Sequence, residues 1–271
     1  MTTALLNRVT LKRSAIALAL AAGFSSASAL PAFTFNPGAA GVGLVGSSVT
    51  ADNILISDFS TVTNVGATSF TETGFLSLTG FQLAGSNVVA GGLNSTYSLY
   101  VSFTGTGHLT LGTNASDPRT TVTAGVFDTL SYSLIGASGN ATFGFSGNTP
   151  TVSSVAPQTL ATGNLINGTV VTSPANGNTA FVPSANATVS FVQAAGKTGF
   201  FSPQPFYNMA FAAFTNTVST VEPFDGGFRV NNGGGNLNFA SPVPEPETYA
   251  LLMAGLGVMG FVARRRKSSR S

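Results

Sequence analysis

The chain has 271 residues with no cysteine, no tryptophan and one histidine, so it holds no disulfide and no zinc centre built on Cys and His suits it. Hydrophobic residues make up 43% and charged residues 7%, too apolar and too weakly charged for a disordered chain. The net charge of +2 misleads, because residues 30–240 keep only Arg119, Lys197 and Arg229 against seven acids, a net −4, and so lack the basic stripe that nucleic-acid binding needs.

The first 29 residues read as a secretory signal. Arg8, Lys12 and Arg13 form the positive region, Ser14 to Phe24 the apolar stretch, and Ala27-Ser28-Ala29 the A-x-A cleavage site. This predicts an N-terminal signal-peptide helix at 1–29, cut after Ala29 so that Leu30 opens the mature chain. An exported body without cysteine must be stable without cross-links.

Residues 30–240 are predicted as one β-rich body. Gly41-Val42-Gly43-Leu44-Val45-Gly46 has the spacing of a dinucleotide loop, but Ser47-Ser48-Val49-Thr50 follows in place of a helix, so no cofactor is expected there. Asp52, Asn53 and Asp58 make one oxygen-rich cluster. In Tyr97 to Phe103, residues 97, 99, 101 and 103 fall on one face, the period of a half-buried strand. His108 follows Gly107 with no G-x-S-x-G elbow to serve, and is read as a surface histidine. Leu130, Tyr132 and Leu134 alternate with Ser131 and Ser133, and Val189 and Phe191 with Ser190.

Residues 147–187, rich in Asn, Thr, Pro, Ser and Gly, are open between a long loop, a glycosylated stretch and edge strands. Glu222, Asp225 and the Gly226-Gly227 carbonyls form a second oxygen-rich cluster. Leu237 and Phe239 alternate with Asn236 and Asn238 in a last short strand before a tether. Gly, Asn, Ser and Pro separate the runs, and no internal repeat is present. The expected architecture is mainly β, an antiparallel β-sandwich.

No residues are assigned to catalysis or to a resident cofactor. The pairs Asp52 with Asp58 and Glu222 with Asp225 are weighed as glycosidase carboxylates and read as loop acids. The two oxygen clusters would suit calcium, the one ligand an exported chain of this composition would meet. Tyr97, Tyr100, Tyr132 and Tyr207 are weighed as sugar-stacking platforms against a role in the core. Asn94, Asn114, Asn140, Asn167 and Asn186 satisfy N-x-[ST] and are read as exposed polar turn positions.

Residues 241–271 hold three parts in order. Pro244-Glu245-Pro246 comes first, then an apolar run from Tyr249 to Ala263, then Arg264, Arg265, Arg266 and Lys267. About sixteen residues without charge sit near the lower limit of the roughly 17–25 that cross a bilayer, and the basic cluster belongs on the cytoplasmic side. This predicts one C-terminal transmembrane helix. Gly255 to Gly260 repeats the dinucleotide spacing inside this run, by chance.

That order resembles the PEP-CTERM sorting signal of Gram-negative bacteria. The resemblance implies a membrane-embedded exosortase as partner, a transient inner-membrane anchor, and delivery to the cell surface or extracellular matrix. In the body, PAFTFNPGAA with VTADNILISDF, SLYVSFTGTG, and GFFSPQPFYNMAF at 199–211 resemble flocculation-associated PEP-CTERM proteins. This second resemblance implies a non-enzymatic role in floc or biofilm formation with exopolysaccharide. The weak charge permits self-association. A polysaccharide-binding module and a polysaccharide-active enzyme in the same matrix are the alternatives.

Overall fold

The computed structural model describes residues 30–39, 41–112, 122–175, 180–240 and 255–256. The chain divides into two compact units, residues 1–31 and 32–271; of the first, only Leu30 and Pro31 are described. The expected signal-peptide helix lies outside the described residues, as does the expected transmembrane run except Gly255 and Leu256. No helix among the described residues is long and apolar enough to cross a membrane.

The second unit is built from strands: β1 (Phe33–Phe35), β2 (Val49–Ala51), β3 (Asn53–Val65), β4 (Ser69–Leu83), β5 (Ser86–Val88), β6 (Tyr97–Leu111), β7 (Thr123–Ser146), β8 (Thr149–Ala175), β9 (Ala180–Ser190), β10 (Val192–Gln193), β11 (Phe201–Ser202), β12 (Met209–Thr215), β13 (Val221–Phe224) and β14 (Gly227–Ala240). Period-2 alternation sets their faces. On β3, Ile54, Ile56, Asp58, Ser60 and Val62 are buried while their neighbours point out. Tight turns join several of them: Ala84 and Gly85, both at positive φ (50° and 78°), make the two-residue link from β4 to β5.

The mainly antiparallel β expectation holds, but the two-sheet sandwich is replaced by a closed ring. Eight strands follow one another in the order β8-β7-β6-β4-β3-β14-β12-β9, and β9 pairs back to β8. Every pairing in the ring is antiparallel. The reason is the length of β8, 27 residues: Thr169 to Thr172 bond β7 on one side and β9 on the other. Inward and outward residues alternate identically in sandwich and barrel, so the alternation alone does not distinguish them. Residues 147–187, left open on sequence, form most of β8 and β9. Asn140, Asn167 and Asn186 accordingly sit on strands and not in turns.

Apolar side chains face inward and Asn, Thr, Gln and Ser face outward, the reverse of the apolar outer band of a membrane barrel. One end of the interior is closed by the small sheet β2-β1-β11 and a phenylalanine cluster. Phe35 stacks on Phe200 at 5.1 Å, and Phe33 meets Phe239 edge-on at 4.9 Å. Such ring pairs add about 0.5–1.5 kcal/mol each beyond burial. A second apolar cluster, including Val62, Phe70, Phe127, Phe181 and Phe228, fills the other part of the interior.

Outside the ring, the β7–β8 hairpin beyond Ser138 lies over β3, β4 and β6. Phe143 stacks on Phe59 at 5.3 Å, and Tyr100 Oη and Ser154 Oγ are 3.0 Å apart. At the tip, Thr61 Oγ1 donates to the Asn148 carbonyl (2.6 Å) and Arg229 Nη1 to the Gly147 carbonyl (2.7 Å).

Candidate functional site

The outer wall carries a continuous polar band that crosses seven strands. In register, Asn167 on β8 faces Thr188 on β9, Thr188 faces Phe211 on β12, and Phe211 faces Asn238 on β14. The side chains then join directly. Asn53 Nδ2 donates to Gln82 Oε1 (2.7 Å) and Gln82 Nε2 to Asn87 Oδ1 (3.1 Å), and the Asn238 amide, turned so that its nitrogen faces Asn53, reaches Asn53 Oδ1 at 2.7 Å. A second row, Thr169, Asn186, Ala213 and Asn236, runs beside it. Between the rows on β8, β9, β12 and β14 lies a shallow groove of about 190 Å³. Phe211, 40% exposed, is the one aromatic ring in it. Six strand spacings of about 4.8 Å give the band a length of roughly 30 Å. Amides donate and accept together, so the band offers both functions at every step but that of Phe211.

The sequence-selected acids do not pair as their numbering suggests. Asp52 Oδ2 accepts the Ala84 N–H (2.8 Å) and anchors the β4–β5 turn. Asp58 lies six residues along an extended strand, about 20 Å away by strand rise, and points inward at 4% exposure. Its partner is Glu72 on β4, which sequence reasoning missed because the two meet only through the β3–β4 register. Burial, then the charge of Glu72, pushes the Asp58 carboxyl well above the usual range, against a lowering effect of Ser60. Burial pushes Glu72 up to about 7, again opposed by Ser60. Glu222 is engaged by Arg229, whose Nε donates to Oε2 at 2.7 Å and whose Nη2 donates to the same oxygen. Hydrogen bonds from Arg229 and then Asn231 hold the Glu222 carboxyl low. Asp58 turns inward, away from Asp52 and Asn53, and Glu222 is taken by Arg229; no three His, Cys, Asp or Glu gather among the described residues.

His108 is exposed as expected, with Nδ1 2.7 Å from Asp128 Oδ1. Three of the four tyrosines, Tyr97, Tyr100 and Tyr132, have no ring face free for a sugar. Tyr97 is fully buried, and burial lifts its hydroxyl to about 12. Tyr100 is buried beneath the outer hairpin; Tyr132 faces the interior and donates to the Ser190 carbonyl (2.9 Å), and half-buried Tyr207 donates to the Ala32 carbonyl (2.8 Å). The Gly41–Gly46 stretch buries Val42 and Leu44 in the phenylalanine-rich cluster, which explains its apolar spacing without a phosphate.

Pro244, Glu245, Pro246, Arg264, Arg265, Arg266, Ala27 and Ala29 all lie outside the described residues. Residues 242–267 match the PEP-CTERM protein-sorting motif. No curated protein and no solved structure matches the chain. The protein is thus, by class, an antiparallel β protein bearing a sorting tail. More particularly, it carries a PEP-CTERM motif, which implies exosortase-dependent sorting at the membrane to the cell surface.

Proposed function

We propose that the protein is a non-enzymatic component of the cell surface or extracellular matrix that holds exopolysaccharide against the cell and promotes floc or biofilm formation. In this reading residues 1–29 are removed on export, 30–240 are the working body, and 241–271 anchor the chain transiently in the inner membrane. The observation that carries the reading is the amide band with Phe211 at its centre. A chain of sugar hydroxyls laid across the strands meets acceptors and donors on the amide and hydroxyl steps, and at Phe211 one ring face for an apolar sugar face. The body's net −4 suits a neutral or weakly charged polymer better than a strongly acidic one.

The enzyme reading has less support. Among the described residues, the interacting carboxylates Asp58 and Glu72 face an interior space of about 100 Å³, too small for a polymer flanked by acid and base. The test is gene deletion with complementation, scoring floc settling and total polysaccharide together. Flocs lost at unchanged polysaccharide output support the reading, and flocs intact without the gene refute it. Complementation with Phe211→Ala or Asn53→Ala separates the band from mere presence of the protein: both are expected to restore surface delivery without restoring settling.

A further inference from the structure

Between the two apolar clusters, the middle of the barrel holds a cavity of about 100 Å³ with walls from all eight ring strands. Val62, Leu76, Val101, Leu130, Phe214 and Val230 are among its apolar lining. Asp58, Glu72 and Asn216 line one side of the space, with Ser60 between the two acids on the β3–β4 ladder, and Tyr132, Thr172 and Ser184 line it from β7, β8 and β9. Asp58 and Asn216 are 4% and 7% exposed, yet Asp58 Oδ1 and Asn216 Oδ1 have no hydrogen-bond partner. Asn216 spends its Nδ2 on the Pro183 carbonyl (3.2 Å), which leaves its own carbonyl oxygen over. No Lys, Arg or His lines the cavity.

The backbone makes room for this belt. Gly74 faces Ser60 in register, and a Cβ there would stand 2.6 Å from the Ser60 Cβ. Gly233 faces Asp58, and a Cβ there would run into Asn216 Oδ1. Unpaired acceptors at this depth each forfeit a hydrogen bond's worth of stability, so a molecule that brings donors is strongly favoured there. An eight-stranded barrel is the size that encloses either packed side chains or one small ligand.

We propose that the barrel interior binds one small organic amine, whose protonated nitrogen donates to Asp58, Glu72 and Asn216 and whose short apolar body lies against Val101, Leu130 and Phe214. An ammonium has three donors for these acceptors. The volume is about two thirds of the roughly 150 Å³ cavity that accommodates one benzene ring, so a short-chain amine is the better fit. Calcium suits the site less, since it takes roughly 6–8 oxygens and the rest of this wall is apolar. The site is independent of the outer band and of the matrix role.

The test uses the full-length chain in mild detergent near neutral pH, titrated with benzylamine and n-butylamine and, in parallel, benzyl alcohol, toluene and calcium chloride. Calorimetry and melting temperature are read for each. One amine per chain with a saturable rise in melting temperature, and binding of benzyl alcohol and toluene at least tenfold weaker, is the expected result. The Asp58→Asn, Glu72→Gln double variant keeps the shape and removes both groups that can ionise to meet an ammonium; it should lose at least tenfold in amine affinity. Ala212→Leu, which fills the cavity without touching the acids, should abolish binding and keeps the test decisive if the double variant does not fold. Amines that give no saturable signal, toluene that binds as well as benzylamine, or calcium that binds where amines do not would each overturn the proposal.

Discussion

At the residue scale, the interior acids make a pH prediction whose sign differs from that of a surface carboxylate. Glu72 is raised from 4.5 to about 7 by burial, so the folded state holds its proton more tightly than the unfolded chain does. Stability from this group is fully present below the unfolded value near 4.5 and is lost as pH rises through about 7. The melting temperature should therefore fall across that window, by a stability loss on the order of 3 kcal/mol, and Asp58 adds to the fall in the same direction. Glu72→Gln should flatten the profile in a thermal scan against pH, and an unchanged slope would refute the assignment. The tyrosines give a second contrast. Tyr97 Oη is buried without a partner, whereas Tyr132 Oη donates to Ser190. Tyr97→Phe should leave stability equal or higher, and Tyr132→Phe should lower it by about 1 kcal/mol in chemical denaturation.

The element of most interest is the outer β7–β8 hairpin, whose tip is tied down by one side chain. Arg229 donates to the Gly147 carbonyl, pairs with Glu222 and lies 5.2 Å over the Phe145 ring. Only a planar guanidinium serves all three contacts, so Arg229→Lys should behave nearly as Arg229→Ala. Both should destabilise by about 1–3 kcal/mol and speed amide exchange over 139–155 while exchange in β12 stays slow. A second element, β12, carries Phe211 outward and Ala212 and Phe214 inward. Phe211→Ala should weaken retention on native polysaccharide roughly tenfold in an affinity column, the weight of one anchoring residue, without changing the melting curve.

For the whole molecule, closure of the ring explains how a cysteine-free exported chain manages its strand edges. Within the closed ring each strand has a ring neighbour on both sides; the open edges are the short strands β2, β5, β10, β11 and β13 and the outer β7–β8 hairpin beyond Ser138, whose arms pair only with each other. Self-association, which the weak charge permits, has the outer faces and the free arms of the β7–β8 hairpin to use. Sorting belongs to this scale as well. Replacing Pro244, Glu245 and Pro246 by alanine should leave the protein in the inner-membrane fraction, and cell fractionation with an antibody to the body checks this.

The sequence by itself determined the class of structure and the destination. Period-2 runs such as Tyr97 to Phe103 read as strands because alternation on a pleated sheet is a local property. The sorting tail was legible for the same reason, since its three parts are contiguous and matched at 242–267. What only the tertiary structure decided depends on register between distant strands. The pairing of β8 with β9 turned an expected sandwich into a ring. The β3–β4 ladder brought Asp58 to Glu72 and not to Asp52, and Asn236 and Asn238, visible as an alternation, became part of a band only when β14 lay between β12 and β3. A one-residue shift would turn each of these side chains to the other face, and no local pattern specifies that choice.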